Sequence, residues 1–175
     1  MRVIKLALIS IVALFIVMCF FSLMMPSTVI VSRAIDIHAP ADSIKYYVAD
    51  LNQWVHWVKG MNSKSVVIKS SKEADLGRQQ LTIQNITDTS VVSIWASPTS
   101  SVQESTIRFI PSKERSLTIV QWQFIQKLHW YPWEKFGSFM NDKILGPMME
   151  QNLQNLKLLS EHQTVNLDSN PIEAQ

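Results

Sequence analysis

Residues able to do chemistry are few and scattered in this 175-residue chain. The four histidines, His38, His56, His129 and His162, form neither a His-x-His strand pair nor an i, i+4 helical pair, the spacings that commonly hold a metal ion. No metal centre and no cofactor are expected. No serine lies in a nucleophile motif, and the one cysteine, Cys19, sits inside a long apolar run, so covalent catalysis has no identifiable agent. What remains is a set of polar residues that could form the poles of a cavity: Arg33, Arg108, His129 and Glu134. Arg33 shares strand parity with Val29, Val31, Ile35 and Ile37, so an ideal strand points it at the core, where its planar fork suits a carboxylate or phosphate. The alternative is a twisted strand end, or an ion pair with its head in water. Arg108 and Glu134 read equally well as surface or ion-pair residues.

Bulky apolar side chains are more numerous, and they suit binding better than reaction. Trp54, Trp57 and Met61 lie close together in sequence and either contact a ligand or plug a small core. Trp95, Trp122 and Phe124 lie on strand-like sequence, facing Phe136, Phe139, Met140 and Met149 on the last helix. These could line a pocket or fill it, and adaptable methionines suit either role. Trp130, Tyr131 and Trp133 cluster between the last strand and the last helix, where they pack a hinge or sit at a membrane interface.

The elements that must position these residues begin with a membrane segment. Leu6 to Met25 is apolar apart from Ser10, Ser22 and Cys19, and as a helix it spans about 30 Å, the thickness of a bilayer core. A cleaved signal is the alternative, but its apolar stretch would be shorter and end in a small-x-small site. Bulky Met18 before Cys19 argues against lipidation. Arg2 and Lys5 precede the segment, while only Arg33 and Asp36 follow closely, so the positive-inside bias places the amino terminus in the cytoplasm. The domain then faces the periplasm or exterior from a bacterial inner membrane. Those two residues also account for the whole net charge of +2, which leaves no basic patch for nucleic acid.

Thr28 to Ile37 reads as a strand. A helix follows from Pro40 with Ile44, Tyr47, Val48 and Leu51 inward, and a short second helix starts at Asp50, capped with Gln53 in the manner of a capping box. Further strands are predicted at 65–69, 78–86, 90–96, 102–110 and 116–128, and their hairpin spacing makes the sheet antiparallel. In the last of them Thr118, Val120, Trp122 and Phe124 should face the core. Pro132 opens a long helix whose stripe of Phe136, Met140, Ile144, Met149, Leu153, Leu156 and Leu159 is apolar, with a kink or break at Gly146-Pro147. The expected organisation is an anchor at 1–26, one domain at 27–162, and a polar, disordered tail at 163–175.

Four of these features together resemble the SRPBCC or START-like superfamily, and within it the polyketide cyclase/dehydrase-like group. They are strand one leading into Ala39-Pro40, the Asp50, Trp54, Trp57 arrangement, the Thr118-x-Val120-x-Trp122 strand, and the helix from Pro132-Trp133-Glu134-Lys135-Phe136 through Gly146-Pro147 to Leu153-x-x-Leu156-Lys157. The resemblance implies an α+β helix-grip fold, an antiparallel sheet wrapped around a long carboxy-terminal helix, with a deep apolar cavity. It implies no shared reaction, because members bind lipids, sterols or polyketides and only some are cyclases. Arg115-Ser116 stands where the pattern has a glycine. The expectation is therefore a membrane-anchored domain that binds a hydrophobic small molecule of the lipid or isoprenoid kind. The alternatives are a polyketide cyclase or dehydratase-like enzyme using the polar set, and an interaction module with a filled core.

Overall fold

Alternation along the last strand decides how the sheet lies: Thr118, Val120, Trp122 and Phe124 are buried, while the residues between them stay partly exposed. The computed structural model describes residues 2–24, 26–98, 100–112, 117–128 and 131–161, with the side chains at 2, 100 and 136–142 outside that description. Its elements are α1 (Arg2–Met24), β1 (Thr28–Ile37), α2 (Ala41–Val48), α3 (Leu51–Trp54), β2 (Val67–Ile68), β3 (Glu73–Asp75), β4 (Gln80–Ile86), β5 (Ser90–Ser97), β6 (Ser100–Pro111), β7 (Thr118–Lys127) and α4 (Pro132–Ser160). The tail expected at 163–175 and His129 lie outside the described residues.

Every strand pairing is antiparallel, and the order is β1-β7-β6-β5-β4-β3-β2. β1 closes against β7 from Thr28 opposite Lys127 to Ile37 opposite Thr118. The inner face carries Val31, Ile37, Leu81, Ile83, Val91, Ile107 and Phe109, and Met149, Leu153 and Leu156 of α4 are buried with them in one apolar core. Branched and aromatic side chains on alternating positions give the sheet this single packed face.

Four sequence expectations need correction. The strand predicted at 65–69 shrinks to Val67–Ile68, because a turn in which the Val66 amide donates to the Ser63 carbonyl takes its start. β3, with Glu73 and Asp75 flanking buried Ala74, carries no apolar run and was not foreseen. At α3 the Asp50 carboxylate accepts from the Asn52 amide at 2.9 Å, but Gln53 donates to the Tyr46 hydroxyl instead of reaching back, so only half of the capping box forms. α4 stays helical through Pro147. Without a break there, five residues between Ile144 and Met149 rotate about 140° round the helix, and Ile144 is 65% exposed instead of joining the stripe.

Gly146 has a packing reason of its own. A Cβ there would collide with the Arg33 guanidinium, which lies over this turn of α4 and donates through Nε to Glu150 Oε1 at 2.6 Å. Arg33 thus leaves the sheet on the helix side, as its parity predicts, and ends in an ion pair. At the other end of the molecule α1 is almost wholly exposed, and Val3–Met24 has a mean hydropathy of 2.9. Lys135, in the first turn of α4, donates to the Ser22 carbonyl at 2.7 Å, and both residues are buried, so the end of α1 abuts the start of α4.

Candidate functional site

The helix α3 and the inner sheet face bring five aromatic rings into one cluster. Trp54 touches Trp57 at 5.2 Å between ring centroids and Trp122 at 6.4 Å, while Phe124 meets both Trp95 at 5.6 Å and Trp122 at 5.5 Å. Tilted and edge-to-face contacts of this kind add to the area the rings bury. Trp54, Trp57 and Trp122 have no exposed surface at all. Their indole N–H groups are also spoken for: Trp54 donates to the Val48 carbonyl at 2.8 Å, Trp57 to the Tyr47 carbonyl at 3.0 Å, and Trp122 to Ser105 Oγ at 2.7 Å. These three rings plug the interior. The deep cavity that the family resemblance implies is filled at this point.

Beside the plug lies a cleft of about 320 Å³, roofed by the loop that follows α3 and floored by the sheet. Met61, Val66, Leu76, Trp95, Trp122 and Met148 give it an apolar lining beside Ser63, Ser65 and Asn152, and Lys59 is the one charged residue in its wall among the described residues. That volume lies near the lower end of the range for small-molecule sites. Two other depressions lie away from the aromatic cluster. One of about 400 Å³ is lined largely by polar residues at the sheet edge from Asp75 to Gln80, and one of about 370 Å³ opens on the outer sheet face at Ile94, Val102, Glu104 and Ile125.

Two asparagines on α4 hold the roof. Asn155 Nδ2 donates to the Trp57 carbonyl at 3.1 Å, and Asn152 Oδ1 accepts from the Lys59 amide at 3.0 Å. Placed at i, i+3, they sit on neighbouring turns of one face among Met149, Leu153 and Leu156. Both are buried, and neither stood out in the sequence. The signal available was two amides interrupting an apolar stripe.

The site residues expected from sequence divide into four groups. Met61, Trp95 and Trp122 line the cleft, and Met148, the neighbour of the expected Met149, joins them. Trp54, Trp57, Phe124 and Met149 are core residues, because α3 and the turn after it tuck Trp54 and Trp57 under the sheet and Met149 lies on the apolar stripe. Phe136, Phe139 and Met140 belong to α4, but their side chains lie outside the described residues. Of the polar set, Arg33 pairs with Glu150, Glu134 sits half-buried in the first turn of α4, and Arg108 is exposed between buried Ile107 and Phe109. Strand alternation puts Arg108 on the outer face, so it is no cavity pole.

Glu161, at the end of α4, ties the helix to the end of β1. It accepts from the His38 backbone amide at 2.7 Å, and this bond holds its carboxyl below the usual carboxylate range, with smaller help from Lys157 and the His38 ring and some opposition from burial. No group of three metal-ligating side chains occurs among the described residues.

No family model matches the sequence, and no curated protein matches it. Solved structures do. A START superfamily protein from Mycobacterium smegmatis superposes with a TM-score of 0.57 at 15% identity, over 76% of this chain and 97% of the other. Truncated norcoclaurine synthase from Thalictrum flavum gives 0.56 at 8% identity, over 75% and 92%. The di-domain ARO/CYC StfQ of the steffimycin biosynthetic pathway gives 0.55 at 8% identity, over 77% and 51%. The chain has a START-like, helix-grip fold. At these identities the likeness concerns the fold, in which a seven-stranded antiparallel sheet grips α4.

Proposed function

We propose that this protein is a membrane-anchored binding protein for a hydrophobic molecule. α1 is the anchor, the amino terminus is cytoplasmic, and the helix-grip domain works at the outer face of a bacterial inner membrane. The cleft under the loop after α3 carries this reading: its wall is mostly apolar, its volume is that of a small ligand, and no carboxylate or imidazole lines it among the described residues. Removing about 300 Å² of apolar ligand surface from water at ~25 cal/mol per Å² contributes about 7–8 kcal/mol before the cost of association, so binding needs no catalytic group. The short connection suits a ligand drawn from the membrane. Thr28 opens β1 four residues after α1 ends at Met24, a reach of at most about 14 Å.

The test is native mass spectrometry of the full chain ejected from lipid nanodiscs. A retained hydrophobic adduct is expected, and it should disappear in a Leu76→Trp variant that fills the cleft. Chain that is always empty, and that also fails to take up an added apolar probe, overturns the proposal. One observation favours a second reading, that of an interaction module: the fully buried Trp54, Trp57 and Trp122 leave little interior to occupy. Bound partner protein with an empty cleft is the result that selects it.

A further inference from the structure

Most buried polar atoms in this domain have partners, and two of the exceptions belong to the cleft. Trp95 Nε1 and Asn152 Nδ2 are buried and accept no neighbour as a hydrogen-bond partner among the described residues, and both residues line the cleft wall. The contrast within each residue type is informative. Trp54, Trp57 and Trp122 each donate their indole N–H, and Asn155 donates its amide, whereas Trp95 and Asn152 do not. The orientation of the Asn152 amide is fixed by its neighbour: the Lys59 amide needs an acceptor, so Oδ1 faces the roof loop and Nδ2 is left over. An indole N–H and a carboxamide NH₂ can only donate, and the one charged side chain in the wall among the described residues, Lys59, is also a donor. Buried donors left without acceptors are costly, so such a group in a native fold calls for a partner from outside the chain, an ordered water or an acceptor atom of a ligand that replaces it.

We infer that the cleft takes a fatty carboxylate, its head group accepting from Trp95 Nε1–H and Asn152 Nδ2–H with Lys59 at the rim, and its chain against Met61, Leu76 and Trp122. This rests on the preceding reading of the cleft and adds the chemistry of the ligand's head. The two nitrogens are buried, and their residues share the cleft lining with Met61 and Met148, unbranched side chains whose shift at small cost would uncover them. A buried carboxylate gains from charge-assisted donors, whereas a cationic head would meet the Lys59 ammonium and leave both N–H groups unpaired.

The experiment uses the full chain in nanodiscs and three terminally brominated probes: dodecanoate, dodecane and dodecylamine. Binding is read from quenching of tryptophan emission after subtraction of empty discs. Dodecanoate is expected to bind about tenfold or more tighter than either of the others, since one charge-assisted donor pair supplies at least that factor. Trp95→Phe keeps a ring and removes the donor, and Asn152→Asp keeps an acceptor for Lys59 while replacing the donor with an anion. At about pH 8, where an ordinary carboxylate is ionised, each should weaken dodecanoate binding about tenfold and leave bromododecane unchanged. Independently, the Trp95 indole proton should move downfield in the NMR spectrum of the wild-type protein as dodecanoate is added. If all three probes bind alike, the variants change nothing and the indole proton stays in place, the head-group inference fails while the cleft remains a ligand site. If no probe quenches in wild type, the cleft reading itself fails.

Discussion

Four indoles share one aromatic cluster, and what each N–H meets separates structural tryptophans from one that serves the cleft. Trp122→Phe strips the donor from Ser105 Oγ, a buried pair, and should cost about 1–3 kcal/mol in urea unfolding. Trp95→Phe removes an N–H that has no acceptor, so it should cost less stability than Trp122→Phe even where binding falls. Equal losses in the two variants would contradict this division. Trp54→Ala, by contrast, empties a fully buried site and should cost about 3–5 kcal/mol. Which tryptophan is which was not legible in the sequence. The aromatic set Trp54, Trp57, Trp95, Trp122 and Phe124 is visible there, but the acceptor of each indole depends on pairings such as Ile107 opposite Trp122, which bring Ser105 under the ring. Glu161 supplies a pH test at the same scale. Its carboxyl is held low by the His38 amide, so its contribution is fully present above the ordinary value of 4.5 and is lost as pH falls through the lowered one. Glu161→Gln should therefore destabilise the domain at neutral pH, and the difference from wild type should shrink in acid unfolding curves below that value.

At the scale of elements, α4 does more than fill the sheet. Through Asn152 and Asn155 it holds the roof of the cleft, and the loop has few other ties to it among the described residues. Asn155→Ala removes the donor to the Trp57 carbonyl, at a cost of about 1–2 kcal/mol, and frees one edge of the roof. Hydrogen exchange should then quicken at the amides of 57–61 while β5, β6 and β7 keep their protection; a uniform rise across the domain would mean that the clamp is global. Long elements with a clear period, β7 and α4 above all, could be read from residue spacing. Short ones could not: β3 holds through three residues because β4 offers it a partner edge, a fact of assembly that leaves no pattern in Glu73-Ala74-Asp75. The unbroken α4 has the same lesson. Gly146-Pro147 reads locally as an interruption, yet the packing of this turn against β1, with Arg33 laid over Gly146, keeps the helix continuous.

For the whole molecule, the helix-grip architecture was legible because the order of one strand, two short helices, a run of hairpins and a closing helix is itself the signature. A bilayer around α1 would bring its surface close to the domain, because the end of α1 meets α4 where Lys135 donates to the Ser22 carbonyl, and two rings flank this contact. Tyr131 and Trp133 stack at 4.9 Å with planes 9° apart, and Trp133 is 61% exposed, an arrangement suited to the headgroup region if α1 spans the membrane. An exposed ring contributes little to folding, so Trp133→Phe should leave the unfolding midpoint nearly unchanged. In bilayers containing lipids brominated near the headgroup, the same substitution should remove a clear part of the tryptophan quenching that wild type shows. Quenching identical in both proteins would place Trp133 away from the surface and detach the domain from the membrane plane. Intact-mass measurement of the same preparation decides the remaining alternative: a mature chain that has lost α1 is a secreted domain, and then the cleft must collect its ligand from solution.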